Sequence, residues 1–364
     1  MKLSTIAFAL TITAAVPAAH SQSSVSLFGL VDQSIAHITN VNAAKDSVTK
    51  MPSNSSIPSR WGLRGTEDLG NGYKAGFVLE SGFSLDTGAS MQGGRLFGRQ
   101  AHVSLSTPYG TVTLGRQYSM LFYSLFGADQ LGPNLFGSAS LDPYIANDRT
   151  DNAIGFLGRT GGFQYGATYS FGRDAAATGG PAATNCAGES ATDRKACRQW
   201  TALLKYDAPT WGIAGAYDKL HGGPGVVFGG PAALNNSAYY EARTTVNGYV
   251  QVGGLRVSGG WIGRTNRSAQ SFRQDMVFAA VGYALTPALF LDAQAFRYTK
   301  RHSDDDTMMY VARATYSLSK RTAVYVTGGY LTNSGNAANS LDGMSGAGPG
   351  LNQIGVAAGI RHAF

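Results

Sequence analysis

Arginine residues in segments of alternating polarity are the side chains of this sequence best placed to act on other molecules. In the segment SRWGLRG, Arg60 and Arg64 share one face of an alternating strand. Trp61 and Leu63 occupy the opposite face. A guanidinium group buried without a partner in apolar surroundings is costly, so we expect the arginine face to meet water. Fixed charges on such a face attract ions of opposite sign without making or breaking bonds.

A carboxylate follows the same rule. Glu80 shares a face with Gly76 and Val78, and the opposite face carries Phe77 and Leu79. We therefore expect Glu80 to lie in the same water-filled space as the arginines.

Side chains suited to catalysis or metal binding show no comparable pattern. The six histidines are scattered without metal-ligand spacing, and no G-x-S-x-G segment occurs. Gly222–Gly230 lacks the Gly-Lys-Ser/Thr ending of a phosphate loop. The acidic run Asp304–Asp306 would suit a divalent cation, but we expect a solvated loop tip. The sequence thus predicts no catalytic residue, no metal site and no cofactor.

The composition excludes an ordinary soluble domain. Glycine accounts for 48 of 364 residues, and charged residues make up 14%, against roughly 25% in typical globular proteins. The mean hydropathy is nevertheless −0.09, and 39 aromatic residues are spread along the chain. This combination is typical of a sheet with one apolar and one polar face. After the first twenty residues no apolar run is long enough for a transmembrane helix.

The N-terminal residues 1–21 predict a secretory signal peptide. Lys2 supplies a positive start, Ile6–Val16 is apolar, and Ala19-His20-Ser21 provides small residues before the cleavage point. The remaining domain, 22–364, would carry 28 basic and 22 acidic residues, a net charge of +6. That modest charge gives no reason to expect a nucleic-acid partner.

The two cysteines predict a disulfide within a loop. Cys186 and Cys197 lie in one polar, glycine-rich segment of a chain expected to reach an oxidising compartment. Zinc binding is disfavoured because no histidine lies near either cysteine.

Period-two alternation is the dominant pattern in the rest of the chain, as in Ser24–Leu27 and Thr111–Leu114. Seven short turns alternate with eight long polar segments, which predicts sixteen strands in an up-and-down meander. The long segments are 38–57, 86–95, 119–148, 173–197, 221–238, 265–272, 300–306 and 333–351.

A bilayer explains why such a sheet has this composition. A sheet that crosses lipid must close on itself, with apolar residues outside and polar residues inside. Arginine on the lipid face costs roughly 2–4 kcal/mol at mid-depth, which reinforces the inward placement of Arg60 and Arg64. Aromatic residues such as Phe163, Tyr165 and Tyr298 are candidates for girdles at the membrane interfaces. A secreted β-sandwich or solenoid is the alternative, but it would need bulkier strands.

The third long segment, which we call the third loop (119–148), is unusually apolar for a loop. Residues 117–148 contain no Lys or Arg and only the acids Asp129, Asp142 and Asp148. A loop in open solvent is rarely so rich in Phe, Tyr and Leu. We expect it to pack against the inside of the sheet.

Several motifs resemble the general porins of β-proteobacteria. The resemblance extends from residue 23 to 364, in order, through SSVSLFGLVD, SRWGLRGTEDLG, LESG followed by RLFGRQ, TVTLGRQ and GIRHAF. It implies an all-β fold, a 16-stranded antiparallel transmembrane β-barrel with short periplasmic turns, long outer loops and an inward-folded third loop. It also implies a homotrimer in the outer membrane of a Gram-negative bacterium, in contact with lipid and lipopolysaccharide. The terminal Phe364 resembles the signal read by the barrel assembly machinery.

The resemblance also assigns residues to a pore constriction. Alternation alone would point Arg99 outward, but the family places this arginine in the pore and residue 102 outside. Arg149 matches the family's third wall arginine by position, and Arg116 is a further candidate. Asp129 is the acid that we expect to oppose the wall arginines from the third loop.

These features predict a passive channel for small hydrophilic solutes and ions, with a preference for anions. Two alternatives remain at this point: a barrel acting mainly as a surface adhesin or binding protein, and an outer-membrane enzyme such as a barrel phospholipase. Bilayer conductance separates the channel from both.

Overall fold

The structure is a computed structural model that describes residues 24–146, 148–174, 185–226, 229–343 and 346–364. The signal peptide expected at 1–21 and its cleavage near Gln22 lie outside these residues.

The described chain forms one antiparallel sheet that closes into a barrel. β1 pairs with β3 through its first half and with β17 through its second half. The strands are β1 (Ser24–Ile38), β2 (Val48–Lys50), β3 (Arg60–Gly70), β4 (Tyr73–Gly82), β5 (Gln100–Thr107), β6 (Gly110–Tyr118), β7 (Arg149–Thr160), β8 (Phe163–Ser170), β9 (Gln199–Asp207), β10 (Trp211–His221), β11 (Tyr240–Val252), β12 (Leu255–Arg267), β13 (Phe272–Ala284), β14 (Leu289–Lys300), β15 (Asp306–Ser317), β16 (Thr322–Asn333) and β17 (Gln353–Ala363). β2 is a short addition in the first loop, and the other sixteen form the barrel, which confirms the predicted fold class.

Short and long connections alternate around the barrel as predicted, with two exceptions in length. The segments 265–272 and 300–306 were expected to be long, but only 268–271 and 301–305 lie between strands. The difference arises because polar residues at these ends continue the ladder, as where Asn266 pairs with Phe272. Polarity alone does not end a strand that extends beyond lipid.

Alternation of burial along the strands separates lumen from lipid. In β13, Met276 and Phe278 are buried, while Val277 and Val281 are exposed on the outer surface. Phe163 and Tyr165 are likewise exposed on the outside. The girdle prediction is wrong for Tyr298, which is buried in the apolar cluster inside the barrel.

The third loop folds into the barrel, as predicted. It contains α1 (Met120–Leu125) and α2 (Pro143–Ala146), and the Ser119 side chain caps α1 by accepting a hydrogen bond from the Leu121 amide. Its apolar side chains pack on inward-facing residues of the distant strands, and the buried cluster includes Leu131, Phe136, Leu141 and Ile145 from the loop and Met276, Phe296, Met309 and Leu331 from the barrel. The lumen is therefore filled on one side and open on the other. Within the described ranges, no helix has both the length and the apolar character needed to span a membrane.

Cys186 and Cys197 form a disulfide in the outer loop that joins β8 to β9. Both cysteines are buried, and Leu220 and Leu234 pack against them.

Candidate functional site

The open side of the lumen contains a cavity of about 580 Å³, which we call the pore cavity, between the third loop and the wall of β1, β3–β7, β15 and β17. Its charged lining residues are six arginines and two acids: Arg60, Arg64, Arg99, Arg149, Arg313, Arg361, Glu80 and Asp129. The formal charge of this lining is therefore +4.

Arg60 and Glu80 lie side by side on the lumen face of β3 and β4. The Nε atom of Arg60 is 3.3 Å from Oε1 of Glu80. Arg64 lies four residues further along β3, exposed to the lumen, with its guanidinium carbon 5.2 Å from the centre of the Phe28 ring. Arg64 is exposed and Arg60 is partly exposed, whereas Glu80 beside Arg60 is buried.

Arg99 lies in the lumen because it precedes its strand. β5 begins at Gln100, so strand alternation does not apply to Arg99. Its Nε donates to Oε1 of Glu80 at 2.8 Å, and its Nη2 donates to the Tyr118 hydroxyl at 2.8 Å.

The expectation that residue 102 points outward is wrong. Val103 and Leu105 are exposed on the outer surface, which turns His102 toward the lumen. There its Nε2 lies 3.3 Å from Oε1 of Gln100. A histidine on this face is compatible with lumen water, whereas the aromatic residue expected from the family would face lipid.

Arg149 begins β7 and joins the same chain of contacts. Its Nη2 donates to the Tyr118 hydroxyl at 3.1 Å, and its Nη1 donates to the Ala146 carbonyl at 3.1 Å. Its guanidinium carbon is 4.5 Å from the Tyr118 ring centre. Glu80 and Tyr118 therefore connect Arg60, Arg99 and Arg149 into one arginine ladder.

Asp129 lines this cavity from the third loop, but its carboxylate is engaged elsewhere. It accepts hydrogen bonds from the Ser138 hydroxyl at 2.6 Å and from Nε2 of Gln294 at 3.0 Å. Burial raises the pKa of Asp129 above its usual range. Within the described chain no ion pair joins Asp129 to the arginine ladder, whose acid partner is Glu80.

Arg116 belongs to a different cluster on the far side of the ladder. Its Nε donates to the Gly98 carbonyl at 2.7 Å, and its Nη1 binds the Asp151 carboxylate. Arg95 binds both Asp151 and Asp174. This cluster adjoins a separate cavity of about 320 Å³, so Arg116 does not line the pore cavity.

Sequence reasoning missed two arginines that come from the last strands. Arg313 binds the Asp292 carboxylate, and Arg361 donates to the Ser56 hydroxyl at 2.9 Å. A signal was present, because Arg313 stands between two alanines in an alternating strand. The desolvation argument used for Arg60 applies equally to it.

A buried ion-pair cluster ties the third loop to the opposite wall. Asp142 of the loop accepts two hydrogen bonds from Arg243, at 2.7 and 2.9 Å. Arg243 is 1% exposed and also contacts Glu241 at 2.7 Å. Glu241 in turn binds Arg264 at 2.8 Å. The loop is thus held by charge at this point as well as by apolar packing.

Asp304 and Asp305 lie in the connection between β14 and β15, Asp306 begins β15, and basic side chains lie close to the run. Asp305 is 3.5 Å from Nζ of Lys300, and Asp306 is 3.3 Å from Arg297. Among the residues that the structure describes, no three His, Cys, Asp or Glu side chains gather as a metal site.

Comparison with known proteins assigns this barrel to a family. A sequence profile described as Gram-negative porin matches residues 7–336. The chain belongs to the Gram-negative porin family. Over its full length the porin is 31% identical to outer membrane porin protein 32 of Delftia acidovorans, which is also covered completely. It is 30% identical to an outer membrane porin protein of Bordetella pertussis, over 95% of this chain and 96% of that protein.

Solved structures agree with this assignment. The anion-selective porin from Comamonas acidovorans superposes with a TM-score of 0.78 at 26% identity, over 94% of this porin and all of that chain. OmpT of Vibrio cholerae superposes with a TM-score of 0.67 at 12% identity, and at this identity the similarity supports only the assignment of the fold. Family and fold together place the porin in the outer membrane.

Asp148, at the end of the third loop, predicts a pH dependence of the porin's stability. Its side chain is fully buried, and Oδ1 accepts a hydrogen bond from the Ser119 hydroxyl. Burial, followed by repulsion from Asp218, raises the pKa of Asp148 well above its usual range; the hydrogen bond from Ser119 and the charges of Arg243 and Arg149 oppose this only in part. A raised folded-state pKa contributes stability below the unfolded-state pKa, and this contribution is lost as pH rises through the folded value.

We therefore expect the porin to lose stability as pH rises above about 4, the ordinary aspartate pKa, and Asp148→Asn to flatten this slope. Denaturant midpoints measured in detergent at several pH values test this. Asp46→Asn, at an exposed outer-loop acid, should keep the wild-type slope. An unchanged slope in the Asp148 variant would contradict the assignment.

Proposed function

We propose that this porin forms a water-filled pore for passive diffusion of small hydrophilic solutes and ions, with a preference for anions. The observation that carries the proposal is the lumen cavity lined by six arginines and two acids. The similarity to a porin described as anion-selective supports the same preference.

The preference arises from fixed charge at a narrow point of low dielectric. Such a site concentrates counter-ions and repels ions of its own sign. Glu80 and Tyr118 hold Arg99 and Arg149 against the wall. The arginines therefore present their charge without closing the passage. No covalent step is involved, so the porin acts as a channel rather than as an enzyme.

The proposed assembly is a homotrimer with one pore per subunit, embedded among outer-membrane lipid and lipopolysaccharide. Phe364 lies at the seam of the barrel, where its backbone exchanges hydrogen bonds with Gly29 at 3.0 and 3.1 Å. A strand in this position suits recognition by the barrel assembly machinery.

The reversal potential in a salt gradient across a planar bilayer tests the proposal. For an about tenfold KCl gradient, we expect a reversal potential with the sign of the chloride equilibrium potential. Its size should be below the value of about 59 mV for a perfectly selective channel. Conductance should rise in groups of three equal steps. A potential of the potassium sign would overturn the anion preference, and silent insertion would favour a surface-binding role instead.

A further inference from the structure

A row of three aromatic rings, one at the end of β6 and two in the third loop, lines the pore cavity. The rings of Tyr118 and Phe122 stack with centres 3.8 Å apart and an interplanar angle of 8°. Phe126 continues the row, edge-on to Phe122 at 5.1 Å. All three residues line the cavity that holds the arginines, and Phe126 is 57% exposed.

Phe122 lies on α1, and Tyr118 and Phe126 flank this helix. The contacts between their rings place all three on one side of it, toward the cavity. The other face carries Leu121 and Leu125, which are buried. This part of the loop thus buries Leu121 and Leu125 and presents Phe122 and Phe126 to the pore.

The aromatic row runs along the pore rather than across it. Tyr118 ends β6 at the outer side. The Phe126 carbonyl accepts a hydrogen bond from Lys205, two residues before the end of β9, which leads into a short turn. The next carbonyl, of Gly127, accepts from Arg256 beside the short turn 253–254. The row therefore extends from Tyr118 on the outer side to Phe126 on the side of the short turns.

The arginines of the cavity are also distributed from the outer side of the barrel toward the short turns. Arg149 and Arg99 meet the row at Tyr118. Arg64 lies four residues nearer the short turns than Arg60, and Arg361 lies two residues before the end of β17. One lumen therefore presents guanidinium groups and the rings of Phe122 and Phe126 along the same path.

We propose that this lumen favours aromatic carboxylates of the benzoate class among the anions it passes. The carboxylate would receive paired, charge-assisted hydrogen bonds from the planar guanidinium groups. The ring would pack on Phe122 and Phe126, replacing water at surfaces that otherwise remain wet. An aliphatic carboxylate gains only the first contact, and a neutral aromatic molecule gains only the second. The inference rests on the proposed conduction of anions.

Block of chloride current through the full-length porin in planar bilayers tests the inference. The probes are benzoate, cyclohexanecarboxylate, which matches its charge and size without a planar ring, and benzyl alcohol, which has the ring without the charge. We expect benzoate to halve the current at a concentration roughly threefold below that of cyclohexanecarboxylate, the usual range for an aromatic pair. Benzyl alcohol should block least.

Phe122→Leu combined with Phe126→Leu should remove the advantage of benzoate. Phe163→Leu, which makes the same exchange on the lipid face, should retain it. If the double variant does not assemble, Phe126→Leu alone serves, because this ring is exposed and its loss disturbs little packing. Equal block by benzoate and cyclohexanecarboxylate, equal block by benzyl alcohol, or a benzoate advantage that survives loss of the rings overturns the inference.

The reversal potential of the same channels separates this inference from the proposed function. A chloride-signed potential without benzoate preference refutes the aromatic inference alone. A potassium-signed potential refutes both.

Discussion

Replacing Arg60 and Arg64 together by glutamate should abolish the anion preference of the porin. Each exchange changes the local charge by two, so the lining of the pore cavity falls from +4 to zero. Both side chains face lumen water, and Arg64 is exposed. The change should therefore act on the field with little loss of packing. The expected reversal potential in a KCl gradient is close to zero.

A matched pair of exchanges separates this effect from net charge. Arg267→Glu combined with Arg273→Glu changes the net charge of the whole chain by the same amount. Both residues, however, are exposed beside the outer connection 268–271. We expect this variant to keep most of the wild-type potential. A wild-type potential in the Arg60/Arg64 variant would remove these arginines from the selectivity site.

Replacing Asp142 by alanine should release the second half of the third loop from the wall. Arg243 would lose both hydrogen bonds to the loop while remaining buried. Removing one partner of a buried ion pair costs about 3 kcal/mol or more; Glu241 stays beside Arg243, which favours the lower end. We expect a larger and noisier single-channel conductance, because the loop that narrows the lumen becomes free to move.

Acid should reproduce this release in the wild-type porin. Burial acts to raise the pKa of Asp142, but the nearby Arg243 and Arg264 outweigh it and hold the pKa below its usual range. A lowered folded-state pKa contributes stability above the unfolded-state pKa, and this is lost as pH falls through the folded value. The noise should therefore rise only at pH values below about 4, the ordinary aspartate pKa.

Asp46→Ala removes an exposed carboxylate from an outer loop and should leave the conductance unchanged. An Asp142 variant with quiet, wild-type conductance would show that apolar packing alone holds the loop.

The fold could be predicted from the sequence because a barrel in lipid leaves a strong local signal. Each strand must alternate and each connection must differ from its neighbours in length, so the number of strands follows from the chain itself. The exact strand ends could not be predicted, since polar residues such as Asn266 remain paired in the ladder beyond the apolar band. The sequence shows where lipid ends but not where pairing ends.

The lumen site was predictable where a residue lies inside a strand and uncertain where it does not. Arg60 and Glu80 follow alternation directly, and Arg313 could have been found by the same argument. Arg99 precedes its strand, so family resemblance rather than alternation indicated its place. The partners of Asp129 depend on how the third loop folds back onto Gln294, which is a long-range contact without a local pattern.

The barrel can close only when β1 and β17 pair during folding. Leu30 pairs with Arg60 on one side and with Ala363 on the other, so the seam joins segments from opposite ends of the sequence. Contacts this distant in sequence form slowly, because the intervening chain must first be brought into place. Until then β1 and β17 expose unpaired edges that can associate with other chains. We therefore expect this protein to be most prone to aggregation between synthesis and closure of the barrel, when binding by chaperones would cover the edges that folding has not yet paired.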